Sequence, residues 1–193
     1  IELNSYRGDH SYSLLEYNWR EKQIENIHKG FGDFPYSLLN NGYINNKSYY
    51  IAHTQAPTTS GNGFFNIHPS EEKGTLLYHN GILKQHQIYH LQNDYTLDEN
   101  WDTKLLHYHI KGGRDLSEID GTFSCLYYGV EKWFLFRNEI SPMFIDDDFN
   151  ISSTKFPGSK QTPPNQELLM NFETKSIEMF CTFKTKENPY YFG

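Results

Sequence analysis

The order of elements along the chain predicts an α+β fold, with two antiparallel sheets and helices packed outside them. Three observations carry this expectation. An early strand is followed by helical stretches, and the second half is a run of short strands joined by turns. That half has no helical crossovers, which parallel strands require. The 193 residues are 37% hydrophobic and 17% aromatic, enough to bury a core. One domain is expected at this length.

The elements follow in order. Residues 11–19 mix apolar and polar side chains in rough alternation and read as a strand. Residues 20–29 are charged, with Ile24 and Ile27 three apart, and read as a short amphipathic helix. Gly30, Gly32 and Pro35 break it. Residues 48–54, with Tyr49, Tyr50, Ile51 and Ala52, read as a buried strand. Residues 55–74 are rich in Pro, Gly, Thr, Ser and Asn, and a loop of that length tends to carry function. Leu76, Leu77 and Tyr78 form another buried strand, ending at His79-Asn80-Gly81. Residues 82–92 follow a helical period, and residues 101–110 form a second helix closed by Gly112-Gly113.

The remainder is β-rich. Residues 122–128 and 132–137 flank Gly129-Val130-Glu131 as a hairpin. Residues 143–145, 151–153, 167–172 and 176–180 supply further strands, and residues 155–166, with three prolines, form a connecting loop.

Composition excludes several function classes. A net charge of −7 without clustered Lys or Arg argues against a nucleic-acid partner. The longest apolar runs are a few residues, too short for a membrane-spanning helix. Two cysteines, Cys125 and Cys181, are too few for a disulfide framework or a Cys-ligated zinc site, and a reducing, cytoplasmic compartment is expected. Both thiols read as buried structural side chains. Only two alanines stand beside abundant Asn, Tyr, Phe, Lys and Ile, the signature of an AT-rich and in some cases viral coding sequence.

Short polar segments fall, in order, at the strand ends. They are Arg7-Gly8-Asp9-His10-Ser11, His53-Thr54-Gln55-Ala56-Pro57-Thr58, Asn66-Ile67-His68-Pro69, His79-Asn80-Gly81-Ile82-Leu83, Trp101-Asp102-Thr103 and Asp120-Gly121-Thr122-Phe123. Alone, Asn80-Gly81 reads as a hairpin turn, and Asp102 as the N-cap of a helix starting at Thr103.

Together, over residues 5–180, the six segments resemble the glutaminase domain of the class II glutamine amidotransferases, members of the N-terminal-nucleophile hydrolases. The resemblance implies a four-layer α/β/β/α sandwich and hydrolysis of the glutamine side-chain amide. It assigns the oxyanion hole to the Asn80 side chain and the Gly81 backbone N–H, preorganised donors for the tetrahedral intermediate. It assigns Asp102 to the α-ammonium of glutamine, and Gln55, Thr58 and His68 to the substrate pocket. His53 and His68 would orient the loop backbone. L-glutamine or a related small molecule is the implied ligand, without metal or organic cofactor. Released ammonia would pass to a synthase on a separate polypeptide.

Two departures qualify this expectation. Gln55 stands where the family has an Arg that forks onto the glutamine carboxylate, and a neutral amide cannot make that bidentate ion pair. The family nucleophile is an N-terminal cysteine whose strand precedes the Arg-Gly segment, whereas residue 1 here is Ile and Arg7 follows closely. The expectation is therefore a nucleophile upstream of Ile1, with no glutaminase activity from these 193 residues alone. The alternative is a catalytically inactive relative that serves as a binding or regulatory module. A third is an amidase for a ligand lacking the α-carboxylate.

Other signals are weaker. His86 and His90 have the i, i+4 spacing of a shared metal, yet without a third ligand they read as solvated helix residues. His107 and His109 should point different ways. Asp146-Asp147-Asp148 reads as a hairpin tip and lacks the Gly and Glu of a calcium-binding EF-hand loop.

Overall fold

A computed structural model describes residues 8, 10–40, 47–56 and 63–186. The chain divides into two compact units, Ile1–Pro69 and Ser70–Gly193.

The first unit is built on a three-stranded sheet of order β2-β1-β3: β1 Ser11–Asn18, β2 Gln23–Phe31 and β3 Ser48–Gln55. Both pairings are antiparallel. A four-residue helix, α1 (Ser37–Asn40), and a 3-10 turn at Phe64–Asn66 complete its described elements. Leu14, Leu15, Tyr17, Phe34 and Ile67 are its buried apolar side chains.

The expected helix over residues 20–29 is instead a turn and the strand β2. A β-bulge explains the misleading spacing. Tyr17 pairs with Ile24 while Glu16 pairs with Asn26, so β2 carries one extra residue, Glu25. Ile24 and Ile27, three apart in sequence, therefore lie opposite Tyr17 and Leu15, which share one face of β1. A helical spacing was produced by an irregular strand.

The second unit has a six-stranded sheet of order β12-β11-β7-β6-β5-β4. Its strands are β4 (Ser70–Glu72), β5 (Thr75–Leu83), β6 (Gly121–Gly129), β7 (Lys132–Arg137), β11 (Gln166–Asn171) and β12 (Ser176–Thr182). A small sheet of order β10-β8-β9 is made by β8 (Phe144–Ile145), β9 (Ile151–Ser152) and β10 (Lys160–Gln161). All described pairings are antiparallel, as the lack of crossovers predicts. The expected connecting loop over residues 155–166 contains β10. The hairpin tip at Asp146 is observed: its carboxylate accepts from the Asn150 backbone N–H at 2.8 Å and from the Asn150 amide at 2.9 Å.

Two helices, α2 (Gln85–Tyr95) and α3 (Asp102–Lys111), cover one face of this sheet. Ile88, Leu91, Leu105 and Leu106 from the helices meet Leu77, Leu83, Phe123, Cys125 and Phe136 from the strands in one apolar cluster. Fully burying each such side chain contributes about 1.5–3 kcal/mol. Among the described residues no helix is long and apolar enough to cross a membrane.

The inner face of α3 is half polar: Asp102, Thr103, His107 and His109 are buried beside Leu105 and Leu106. Buried polar groups need partners, and His107 shows how they are found. The Thr75 hydroxyl donates to the Glu72 carbonyl at 2.6 Å, so it accepts from His107 Nε2–H at 2.8 Å. His107 Nδ1 then accepts from the Ser70 hydroxyl at 2.9 Å. This neutral imidazole ties α3 to the β4–β5 hairpin. Burial, and then the Lys104 charge, push its pKa down from 6.5 to about 4. Lys104 and Lys111 reinforce the same joint through Glu72.

Candidate active site

Asn80 and Gly81 lie inside β5, not in a turn. The strand runs on through Leu83, with Asn80 opposite Ser124 and Gly81 opposite Phe123 on β6. The hairpin-turn reading of Asn-Gly is thereby corrected. Glycine is needed because a Cβ at Gly81 would overlap the Thr122 carbonyl oxygen and lie 2.8 Å from His79 Nε2.

Two side-chain bonds define the edges of β5 here. Ile82 N–H donates to the Thr122 hydroxyl on β6 at 3.1 Å, and Leu83 N–H donates to Asp102 Oδ2 at 3.2 Å. Successive N–H groups of a strand point to opposite edges, so Gly81 N–H shares the Leu83 edge, facing away from β6. On that edge β4 pairs only with residues from Thr75 to Leu77. Beyond Leu77 the β5 edge has no strand partner among the described residues. The half-buried Asn80 amide likewise has no hydrogen-bond partner among them. Among the described residues, neither its two N–H donors nor the neighbouring Gly81 N–H meets an acceptor.

Asp102 is 2% exposed and opens α3. The N-cap position belongs to Trp101, so the expectation that Asp102 caps a helix starting at Thr103 is corrected by one residue. Its Oδ1 accepts from the Thr103 backbone N–H at 2.7 Å, and its Oδ2 takes the Leu83 bond. Each oxygen retains a second lone pair. The carboxylate also sits in the first turn of α3, where the helix dipole favours negative charge. Donors for an anionic oxygen and an acceptor for a cation thus lie at the same stretch of β5.

Residues without an assigned role complete this corner. His79 is 3% exposed, and its Nε2–H donates to the Thr122 carbonyl at 3.2 Å. Its Nδ1 accepts from the Thr103 hydroxyl at 3.1 Å. The sequence signal was available: His79 precedes Asn80, and Thr103 follows Asp102.

The first unit holds the remaining predicted site residues. Gln55 ends β3, and its Nε2 donates to the Asn66 carbonyl at 3.3 Å. That bond orients the amide, so Oε1 accepts from His68 Nδ1–H at 2.9 Å. His68 is buried and stacks on His53 with ring centroids 4.1 Å apart. Gln55 therefore braces the segment leading to Pro69. Gly8 packs against the same strand end, where a Cβ would overlap the backbone at Gln55 and Ala56. Arg7, Asp9 and Thr58 lie outside the described residues.

Neither described thiol is poised for nucleophilic attack. Cys125 is fully buried, and burial with the nearby Asp102 charge pushes its pKa up. Cys181 is exposed rather than buried as expected. Burial of its thiol, and then the Glu167 carboxylate, raise it to about 11. His86 pairs with Asp120 at 2.9 Å and His90 lies 3.7 Å from Asp94, both largely exposed. No group of three His, Cys, Asp or Glu side chains comes together among the described residues.

No family model matches the chain, and no curated protein does. Solved structures do. A glutamine phosphoribosylpyrophosphate amidotransferase from B. subtilis, complexed with ADP and GMP, superposes with a TM-score of 0.65 at 20% identity over 92% of this chain. A structure described as the allosteric regulatory enzyme of purine biosynthesis gives 0.68 at 21% identity over 93%. The likeness shows the fold. The chain spans 44% and 45% of those neighbours' lengths, less than half of each.

Proposed function

We propose that this chain is a glutaminase-type domain that binds L-glutamine, or a related primary amide bearing an amine. The observation that carries the reading is the Asn80 amide and Gly81 N–H, without acceptors among the described residues, on a strand whose Leu83 N–H bonds the buried Asp102 carboxylate. Two N–H donors converging on an amide oxygen stabilise the oxyanion formed when a nucleophile attacks the amide carbon. Asp102 would pair with the ligand's ammonium, since a desolvated cation requires an opposite charge. Gln55, Thr58 and His68 would take part in ligand binding, as the resemblance implies. Four α/β/β/α layers in a single domain are part of the same proposal, which the likeness in fold to solved amidotransferase structures supports.

In the reaction, a cysteine thiolate at the start of the intact polypeptide would attack the amide carbon. The tetrahedral intermediate would expel ammonia, and water would resolve the thioester to glutamate. No metal or organic cofactor enters these steps. Ammonia would pass to a synthase on another chain. The experiment is incubation of the intact natural polypeptide with L-glutamine and a glutamine-analogue electrophile. Glutamate release and a single covalent adduct on an N-terminal cysteine support the proposal; their absence from folded protein contradicts catalysis.

A second reading is favoured by the raised pKa of both thiols and the commitment of Gln55 to Asn66 and His68. In it the same domain binds its ligand without turnover, as a regulatory module. Saturable glutamine binding without glutamate release would select it.

A further inference from the structure

We propose that His79 is a positioning residue, clasping the donor edge of β5 to the carboxylate end of the site through Thr122 and Thr103. This rests on the reading of Asn80, Gly81 and Asp102 as a ligand site.

The Thr122 carbonyl can only accept, so His79 Nε2 carries the proton in their 3.2 Å contact. In the neutral ring Nδ1 is then an acceptor, and the Thr103 hydroxyl donates to it at 3.1 Å. That hydroxyl has one proton, and its separation from Asp102 Oδ1 is the longer 3.5 Å. Asp102 Oδ1 is served instead by the Thr103 backbone N–H at 2.7 Å. One residue, Thr103, thus fixes the Asp102 carboxylate with its backbone and the His79 ring with its side chain.

Thr122 mirrors this on the other side. Its hydroxyl accepts from Ile82 N–H, and its carbonyl accepts from His79. The Gly81 peptide lies between, so close to the Thr122 carbonyl and His79 Nε2 that no Cβ fits. A ring held at both nitrogens and 3% exposed cannot turn without breaking a buried hydrogen bond. Through it, the orientation of the Gly81 N–H is coupled to the start of α3, where Asp102 sits. Displacement of either end is felt at the other.

The test uses the wild-type chain and the variants Thr103→Val, Thr103→Ser and His79→Gln. Nitrogen-15 NMR of the histidine ring in the wild type should show a single tautomer with the proton on Nε2. A tautomer mixture or a protonated Nδ1 in the neutral ring would overturn the proposal. L-glutamine binding by calorimetry should weaken about tenfold in Thr103→Val, the loss of one buried hydrogen bond. His79→Gln should weaken it comparably, and Thr103→Ser should restore it to within about twofold of wild type. Unchanged affinity in folded Thr103→Val would overturn the proposal. If the wild type itself takes up no glutamine, the functional reading fails separately, and exchange of the Leu83 amide decides the clasp. That amide should exchange about tenfold faster in Thr103→Val, while Leu135 on β7 stays unchanged; equal protection at Leu83 would refute it.

Discussion

Lowering the pH from 7 to 4 should destabilise the second unit through His107. Its imidazole is fully buried and neutral, fixed between Ser70 and Thr75, with a pKa of about 4 in place of 6.5. Between those values the unfolded chain binds a proton there that the folded chain does not. Unfolding free energy therefore rises with pH across this window and falls on acidification. The gap is about 2.5 pH units, and at 1.36 kcal/mol per unit the loss reaches about 3 kcal/mol by pH 4. Burial lowers the pKa of His109 as well, adding in the same direction, while the raised Glu167 opposes it. The assay must therefore isolate one residue. Urea unfolding at half-unit pH steps, on wild type and His107→Gln, gives the difference directly. The variant should be less stable at pH 7 and should lack most of the acid-dependent loss. Parallel pH curves for the two proteins would refute the assignment of that loss to His107.

Other outcomes follow from the same geometry. The two-residue turn joining β6 and β7 holds Val130 at φ 52° and Glu131 at φ 59°, so replacing them with Asn-Gly should stabilise the protein by about 1 kcal/mol in urea unfolding. Gly81→Ala should cost at least about 2 kcal/mol and, under the proposed function, abolish glutamine binding, because the strand must move off Thr122. Gln55→Leu should cost about 1–3 kcal/mol and speed amide exchange over residues 64–68, since the Asn66 carbonyl and His68 lose their partner. At pH 7, mass spectrometry after iodoacetamide should find Cys181 alkylated slowly and Cys125 only after unfolding.

Much of the fold was legible because its strands obey simple patterns. The β6–β7 hairpin, the β11 and β12 strands and the start of α3 fall within a residue or two of the sequence expectation. β2 was misread because a bulge at Glu25 shifts Ile24 and Ile27 into a helical spacing, an irregularity defined only by the partner strand. β5 was cut short at Gly81 because Asn-Gly is a turn signal wherever no neighbouring carbonyl forces a glycine into a strand. Of the candidate site, motif order picks out Asn80, Gly81 and Asp102, and the structure puts the first two on β5 and bonds the third to the Leu83 N–H of that strand. Motif order also picks out Gln55, and the structure adds what no motif shows, that its amide holds Asn66 and His68. His79 and Thr103 stand beside motif residues, but the hydrogen bond between them is not legible, since nothing in the residue order says that two buried polar groups from β5 and α3 face one another.

The proposed function requires that the β5 edge at Asn80–Gly81 and the Asp102 carboxylate receive the two ends of one ligand. An NMR titration of the chain with L-glutamine tests it most directly. Saturable shifts are expected at the Gly81 backbone amide and the Asn80 side-chain amide, lost in Asp102→Ala while the remaining spectrum stays folded. A wild-type spectrum in which neither signal moves at millimolar glutamine would contradict it.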